Sequence, residues 1–304
     1  MFYLAARYLR EAGWSGWDVL QLNGRVWLIF RPGEKAPAVV GKSSTTPARR
    51  QAAARECDAL QRLAPYSEEL SVPRLLFQED TASGFIHLQT AMPGKPMRLE
   101  LSPGDGNSIA AQFDTIEGWL AKFQALAPSE ASLAVAFRQR ILTAAPGCVP
   151  QALLDAAAGS LPLFTAVPAV AAHGDFCGGN VLAAGSRVSV VDWDTFHCGS
   201  PLKDLFSFAT GAVFRYNKLE LSAKLIWDTF WGSSPLAART QAAALRTLAR
   251  VGLPAEHLRP LYWMHLIDRL TREGYADAAA WRIFAAEYIA AGMPAPWHKR
   301  QDNR

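Results

Sequence analysis

Three polar side chains have the types and spacing needed to move a phosphoryl group from a nucleotide. Asp175 and Asn180 lie within His173-Gly174-Asp175-Phe176-Cys177-Gly178-Gly179-Asn180-Val181-Leu182, and Asp192 lies within Val190-Val191-Asp192-Trp193-Asp194. Such chemistry calls for a carboxylate to orient the attacking hydroxyl, with an amide and a second carboxylate to hold Mg²⁺. Asp175 suits the first role: it would accept a hydrogen bond from the hydroxyl and take its proton late, because a loose transition state asks for little base strength. Asn180 supplies a neutral oxygen and Asp192 a charged one, the donors a hard cation prefers. An aspartate in such a stretch is also a common turn or cap residue. The whole constellation favours the chemical reading.

These groups have to be carried by a loop and a hairpin. Gly185-Ser186 separates two short apolar runs between the motifs, so Ala183 to Ser189 reads as a β-hairpin that delivers Asp192 at its end. Asp194 lies two residues further on and would project from the same face of an extended segment, as a supporting group or a further ligand. Cys177 lacks the partner constellation of a nucleophile and reads as a small loop filler. His197 and Cys198 are adjacent, and two such residues do not make a zinc site.

The H-x-D-x-x-x-x-N spacing is similar to the catalytic loop of protein kinases, with Asp192 standing where those enzymes have a metal-binding aspartate. Gly174 after His173, Trp193 after Asp192, and the downstream Gly199-Ser200-Pro201-Leu202-Lys203-Asp204-Leu205 narrow the likeness. Together they resemble the aminoglycoside phosphotransferase/choline kinase family, small-molecule kinases with a protein-kinase-like fold. The resemblance implies an α+β, bilobal protein-kinase-like fold. A small five-stranded antiparallel β lobe with a helix would span residues 1–93, and a large, mainly helical lobe residues 94–304. It implies ATP or another nucleoside triphosphate together with Mg²⁺, a catalytic Asp175, and metal-binding Asn180 and Asp192. His173 and Asp204 would be structural, Asp204 as a buried carboxylate accepting hydrogen bonds from the loop backbone, and Asp194 would support them. The alternative is a nucleotide-binding pseudokinase with a scaffolding or regulatory role. Lys42, Asp175, Asn180 and Asp192 are all present, which favours an enzyme.

Upstream, Phe2 to Glu11 has a helical apolar period. Trp17 to Leu22 and Val26 to Phe30 are strand-like runs joined by Asn23-Gly24, a strong hairpin signal. No GxGxxG follows. Ala38 to Lys42 reads as a third strand ending in a lysine, and Pro47 opens a helix to about Ala64. By resemblance, Glu56 pairs with Lys42 and holds it against the α- and β-phosphates. The residues alone also allow a surface lysine and a solvent-facing glutamate. Leu75 to Phe77 and Phe85 to Gln89 are the fourth and fifth strands. The resemblance implies that the main chain of Gln89 to Ala91 binds adenine, with Met92 beside the ring. His87 reads as structural.

Leu101 to Asn107 is rich in loop formers. Ser108 to Leu126 is a helix whose stripe of Phe113, Ile116, Trp119, Leu120 and Phe123 reads as core. Gln124 stands where many members of the resembling family carry a histidine. After Asp204 the chain reads as almost entirely helical.

The net charge of +4 is too small to argue for nucleic acid. Arg49-Arg50 and His298-Lys299-Arg300 read as solvated surface. Four scattered cysteines without a CxxC pair argue for a reducing, cytoplasmic setting. No run approaches the roughly 20 apolar residues of a membrane span, and the N-terminus lacks the pattern of a signal peptide. The expected partner is a small hydroxylated molecule, with no nucleic acid and no membrane; the oligomeric state is open. Basic residues outnumber acidic ones from Lys218 to Arg304, which disfavours a polycationic acceptor. Trp227, Trp231, Tyr262, Trp263 and Trp281 could cage a quaternary ammonium, although tryptophans at helical spacing more often form core. A sugar, an amino alcohol, or a choline-like or aminoglycoside-like molecule is the range of acceptors.

Overall fold

The structure, a computed structural model, describes residues 2–97, 106–126, 128–143, 147–216, 222–271 and 278–297. The loop expected at Leu101 to Asn107 lies largely outside these residues, and the His298-Lys299-Arg300 cluster lies wholly outside them. The chain opens with α1 (Phe2–Glu11), β1 (Asp18–Leu22), β2 (Val26–Phe30), β3 (Val39–Ser44) and α2 (Pro47–Leu63). Next come β4 (Leu75–Thr81), β5 (Gly84–Thr90), β6 (Lys95–Pro96), α3 (Gly106–Leu126), β7 (Pro128–Ser132), α4 (Leu133–Thr143) and α5 (Gln151–Gly159). The middle of the chain holds β8 (Pro168–Ala172), β9 (Val181–Ala184), β10 (Arg187–Val190) and β11 (His197–Gly199). Helices α6 (Lys203–Tyr216), α7 (Ala223–Phe230), α8 (Pro235–Arg250), α9 (Leu258–Thr271) and α10 (Ala278–Ala290) follow.

Two compact units result, Met1–Met97 with Asn180–Phe196, and Arg98–Gly179 with His197–Arg304. The hairpin β9–β10 therefore packs in the first unit, although its place in the chain lies far beyond residue 93. It does so through a three-stranded sheet in which β6 pairs with β9, Lys95 opposite Ala183. Gly94 makes the approach possible: its φ is +116°, and an added Cβ would come to 2.8 Å from the Ala183 carbonyl oxygen.

The first unit is built on an antiparallel five-stranded sheet in the order β1-β2-β3-β5-β4. Strand residues alternate between faces, and the two faces have different partners. Trp27, Ile29, Val39, Ile86 and Leu88 form one core with Leu4, Ala5 and Leu9 of α1. On the opposite face, Phe85 packs with Ala53 and Cys57 of α2.

The hairpin expected at Asn23-Gly24 is present as a three-residue turn: Leu22 pairs with Val26, which leaves Arg25 outside the ladder after Asn23 (φ +42°) and Gly24 (φ +72°). Two details differ from the sequence reading. β3 does not end at Lys42; Ser43 and Ser44 continue it opposite Ile86 and Phe85. The short β6, β7 and β11 were not legible, since two to five residues without a β-branched run carry no period.

In the second unit, α3 buries Phe113, Ile116, Trp119, Leu120 and Phe123. The strand before the His173–Asn180 loop, β8, lies between β7 and β11.

Candidate active site

Sheet alternation decides where Lys42 points. Its ladder partner on β5 is His87, and both lie on the face opposite the α1 core, toward α2. Glu56 comes from the buried side of α2, together with Ala53, Cys57 and Leu60. Lys42 Nζ donates to Glu56 Oε1 at 2.7 Å and Oε2 at 2.9 Å, and to Asp192 Oδ1 at 2.9 Å. His87 Nε2 lies 3.3 Å from Glu56 Oε2. Burial works against charge on both members of the Lys42–Glu56 pair, but their attraction outweighs it. Lys42, aided by His87, holds the Glu56 carboxyl down to about 2, and Glu56 with Asp192 raises the Lys42 ammonium above its ordinary range.

The hairpin supplies the remaining acids. Val181 pairs with Val190, and Val191 N donates to Asn180 O at 2.9 Å, so Asn180 lies opposite Val191, with Asp192 next in the chain, at the end of the ladder. Asp192 has φ +70°, a left-handed backbone uncommon outside glycine and associated with functional sites. It is flanked by the fully buried Trp193, whose Nε1 donates to Val190 O at 3.0 Å. Arg55 Nε donates to the backbone carbonyl of Asp194 at 3.1 Å. Burial, reinforced by Asp192 and Glu56, pushes the Asp194 carboxyl up to about 6. Lys42, Glu56, His87, Asp192 and Asp194 line one cavity of about 330 Å³, together with Arg25 and Arg49.

The catalytic-loop sequence belongs to the second unit up to Gly179. There, His173 N and Gly174 N donate to Asp204 Oδ2 and Oδ1 at 2.7 and 3.0 Å. Burial pushes the Asp204 carboxyl up, opposed by His173 and these two amides. Gly174 has φ +88°, which turns the chain so that Asp175 N reaches His173 Nδ1 at 3.3 Å. That ring nitrogen accepts, so the imidazole shapes the loop. Asp175 itself is half-buried.

A profile of the phosphotransferase enzyme family, APH, matches residues 25–253. The chain belongs to this family. No curated protein sequence matches. Among solved structures, the aminoglycoside phosphotransferase APH(3'')-Id from Streptomyces rimosus, in complex with ADP and streptomycin, is 17% identical with a TM-score of 0.54, over 89% of this chain and 98% of that one. A glucosamine kinase in complex with glucosamine, ADP and inorganic phosphate is 18% identical with a TM-score of 0.54, over 92% and 76%. The macrolide 2'-phosphotransferase MphH from Brachybacterium faecium is 18% identical with a TM-score of 0.52, over 96% and 94%. These likenesses establish the α+β, protein-kinase-like fold.

Several side chains of this phosphotransferase take places that the sequence did not announce. His87 is a neighbour of Glu56 and lines the cavity; only the β3–β5 register, unknowable from one strand, places it there. Arg49 is exposed, as expected, and also lines the same cavity. Gln124 Nε2 donates to Pro201 O at 3.0 Å, three residues before Asp204, and its Oε1 accepts from Arg250. Cys177 is buried against Gly211, where an added Cβ would come within 2.8 Å of the Cys177 Cβ. Trp227, Trp231, Tyr262, Trp263 and Trp281 are all buried. Trp227 and Trp231 pack with ring centroids 4.8 Å apart, and Trp231 and Tyr262 with centroids 5.0 Å apart. These five rings are core. Ala91 N donates to Ala38 O at 3.0 Å, so the amide of Ala91 is already used within the protein.

Proposed function

We propose that this phosphotransferase moves the γ-phosphoryl group of ATP, with Mg²⁺, to a hydroxyl of a small metabolite. The observation that carries the reading is the Lys42 ammonium, held by Glu56 and Asp192 at a cavity of about 330 Å³. An ammonium fixed in this way can grip the α- and β-phosphates without wandering. Gln89 and Ala91 contribute to the adenine site, Ala91 through its carbonyl. Asp175 accepts the hydrogen bond of the acceptor hydroxyl and takes its proton.

Asn180 and Asp192 would hold the metal, which when bound neutralises charge on the phosphates. Two oxygen donors from the protein fit Mg²⁺, which keeps waters and takes substrate phosphates as further ligands. In the proposed division of labour, residues 1–93 with the packed-in hairpin bind the nucleotide, and the rest of 94–304 supplies Asp175 and the acceptor pocket.

The related folds include enzymes named for aminoglycoside, glucosamine and macrolide substrates, all hydroxylated small molecules. The excess of basic residues from Lys218 onward and the packing of the candidate cage rings into core favour a sugar or amino alcohol here. No helix among the described residues is long and apolar enough to cross a membrane, and the scattered cysteines support a cytoplasmic setting. A panel of hydroxylated metabolites assayed for ADP release tests the proposal. Asp175→Asn should cut turnover of the accepted substrate by roughly 10²- to 10⁴-fold; equal turnover by variant and wild type would refute the mechanism.

A further inference from the structure

The cavity around Lys42 has more carboxylates than cations among the residues placed so far. Lys42 is its one cation among them, and Glu56 and Asp192 both bond to it. Asp194 adds a third carboxylate to the lining. Part of this negative charge would be offset by a cation on Asp192; the four residues by themselves carry two more carboxylates than ammonium groups, so the lining leaves room for further cations facing a polyphosphate.

Two further cations line the same cavity, Arg25 and Arg49. Both are exposed. Four other arginines of the first unit are matched by protein groups: Arg7 pairs with Glu79, Arg50 with Asp80, Arg55 with the Asp194 carbonyl and Arg187 with Ser71. Arg25 and Arg49 have no such partner among the described residues. Their backbones are nonetheless well placed. Arg25 sits at the third position of the β1–β2 turn, outside the ladder, and its carbonyl accepts from Ser43 N at 2.9 Å, beside Lys42. Arg49 lies in the first turn of α2, the helix that carries Glu56.

Resting on the nucleotide site proposed above, we propose that Arg25 and Arg49 bind the distal phosphates of the nucleotide, one from the strand turn and one from the helix. They substitute for the backbone amides of the glycine-rich loop that this sequence lacks. Guanidinium forks match phosphate oxygens in pairs, so two side chains suffice where a loop would use several amides. The two arginines also balance the two excess carboxylates of the cavity.

The test is equilibrium titration of the full chain with ATP, ADP and AMP in the presence of Mg²⁺, for wild type, Arg25→Gln, Arg49→Gln and Arg10→Gln. Arg10 is exposed and lies outside the cavity lining, so it controls for net charge. Each cavity variant should weaken ATP binding about tenfold or more, the scale of one charge-assisted hydrogen bond, while AMP binding stays within twofold of wild type. Arg10→Gln should leave all three nucleotides unchanged. Wild-type affinity for ATP in Arg25→Gln and Arg49→Gln overturns the inference, as does an equal loss for AMP and ATP. Lys42→Ala measured in parallel separates the two readings. If Lys42→Ala loses ATP while both arginine variants retain it, the arginine inference fails and the nucleotide site stands. If the wild type binds no ATP, the nucleotide site fails and the inference with it.

Discussion

Lys42 and His87 face each other across adjacent strands, and both reach the same carboxylate, that of Glu56. The glutamate is thus held from two sides, by an ammonium that can grip phosphate and by an imidazole that cannot move away from the sheet. Replacing His87 by leucine keeps the strand packed but removes one of the two holds. Nucleotide binding should weaken by a few fold with little change in maximal rate, and stability should fall by no more than about 1 kcal/mol, because the 3.3 Å approach falls short of a formed hydrogen bond. Steady-state kinetics with ATP as the varied substrate, together with a urea titration, would check both.

The Lys42–Glu56 pair has a defined pH window. The folded-state pKa of Glu56 is about 2 against an ordinary 4.5, so its contribution is fully present above about 4.5 and is lost as pH falls toward 2. Lys42 is raised from 10.5, so its contribution holds below about 10.5 and fades above. From the Glu56 shift, acid should remove up to about 3 kcal/mol. Unfolding free energies of wild type and Glu56→Gln should therefore converge between pH 4.5 and 2; parallel curves over that range would contradict the assignment.

Asp204 is expected to hold loop shape, not to react. Asp204→Asn turns a donor amide toward the N–H of His173 or Gly174 and leaves a buried group unsatisfied. The expected cost is about 1–3 kcal/mol, seen as a lower midpoint in chemical denaturation. Turnover should fall together with stability and recover in part at lower temperature.

Asp175→Asn should behave in the opposite way. Asp175 is half-buried, and the substitution keeps its size, so stability and ATP affinity should remain near wild type. Turnover should drop by roughly 10²- to 10⁴-fold, the range for loss of a general base. A titration showing weakened ATP binding would move Asp175 from the acceptor side to the nucleotide side.

In the second unit, Asp268 pairs with both Arg140 and Lys203, the latter at 2.5 Å. Removing it with Asp268→Leu strands the buried Lys203, at an expected cost of about 3 kcal/mol. Adding Lys203→Met should recover part of that loss. Thermal or urea unfolding of the single and double variants decides it; additive losses would mean that the pair is not coupled.

From the sequence alone the family and a candidate set of reacting residues could be proposed, because their pattern is local. Asp175, Asn180 and Asp192 sit on one loop and the hairpin that follows it, at spacings fixed by covalent chain, and the apolar periods of α2 and of the strands follow from short-range order. Family membership follows from the same residues. Other features needed tertiary contacts. Whether Glu56 faces Lys42 or water depends on which side of the sheet α2 packs, and His87 joins them only through the β3–β5 register. Arg25 leaves the ladder because the turn takes three residues instead of two. Gln124 holds Pro201 across 77 positions. Trp227, Trp231 and Tyr262 are core because helices distant in sequence cover them. A local pattern records what a residue type is able to do. Which groups it meets is set by packing between segments far apart in the chain, and a single sequence carries no trace of those distances.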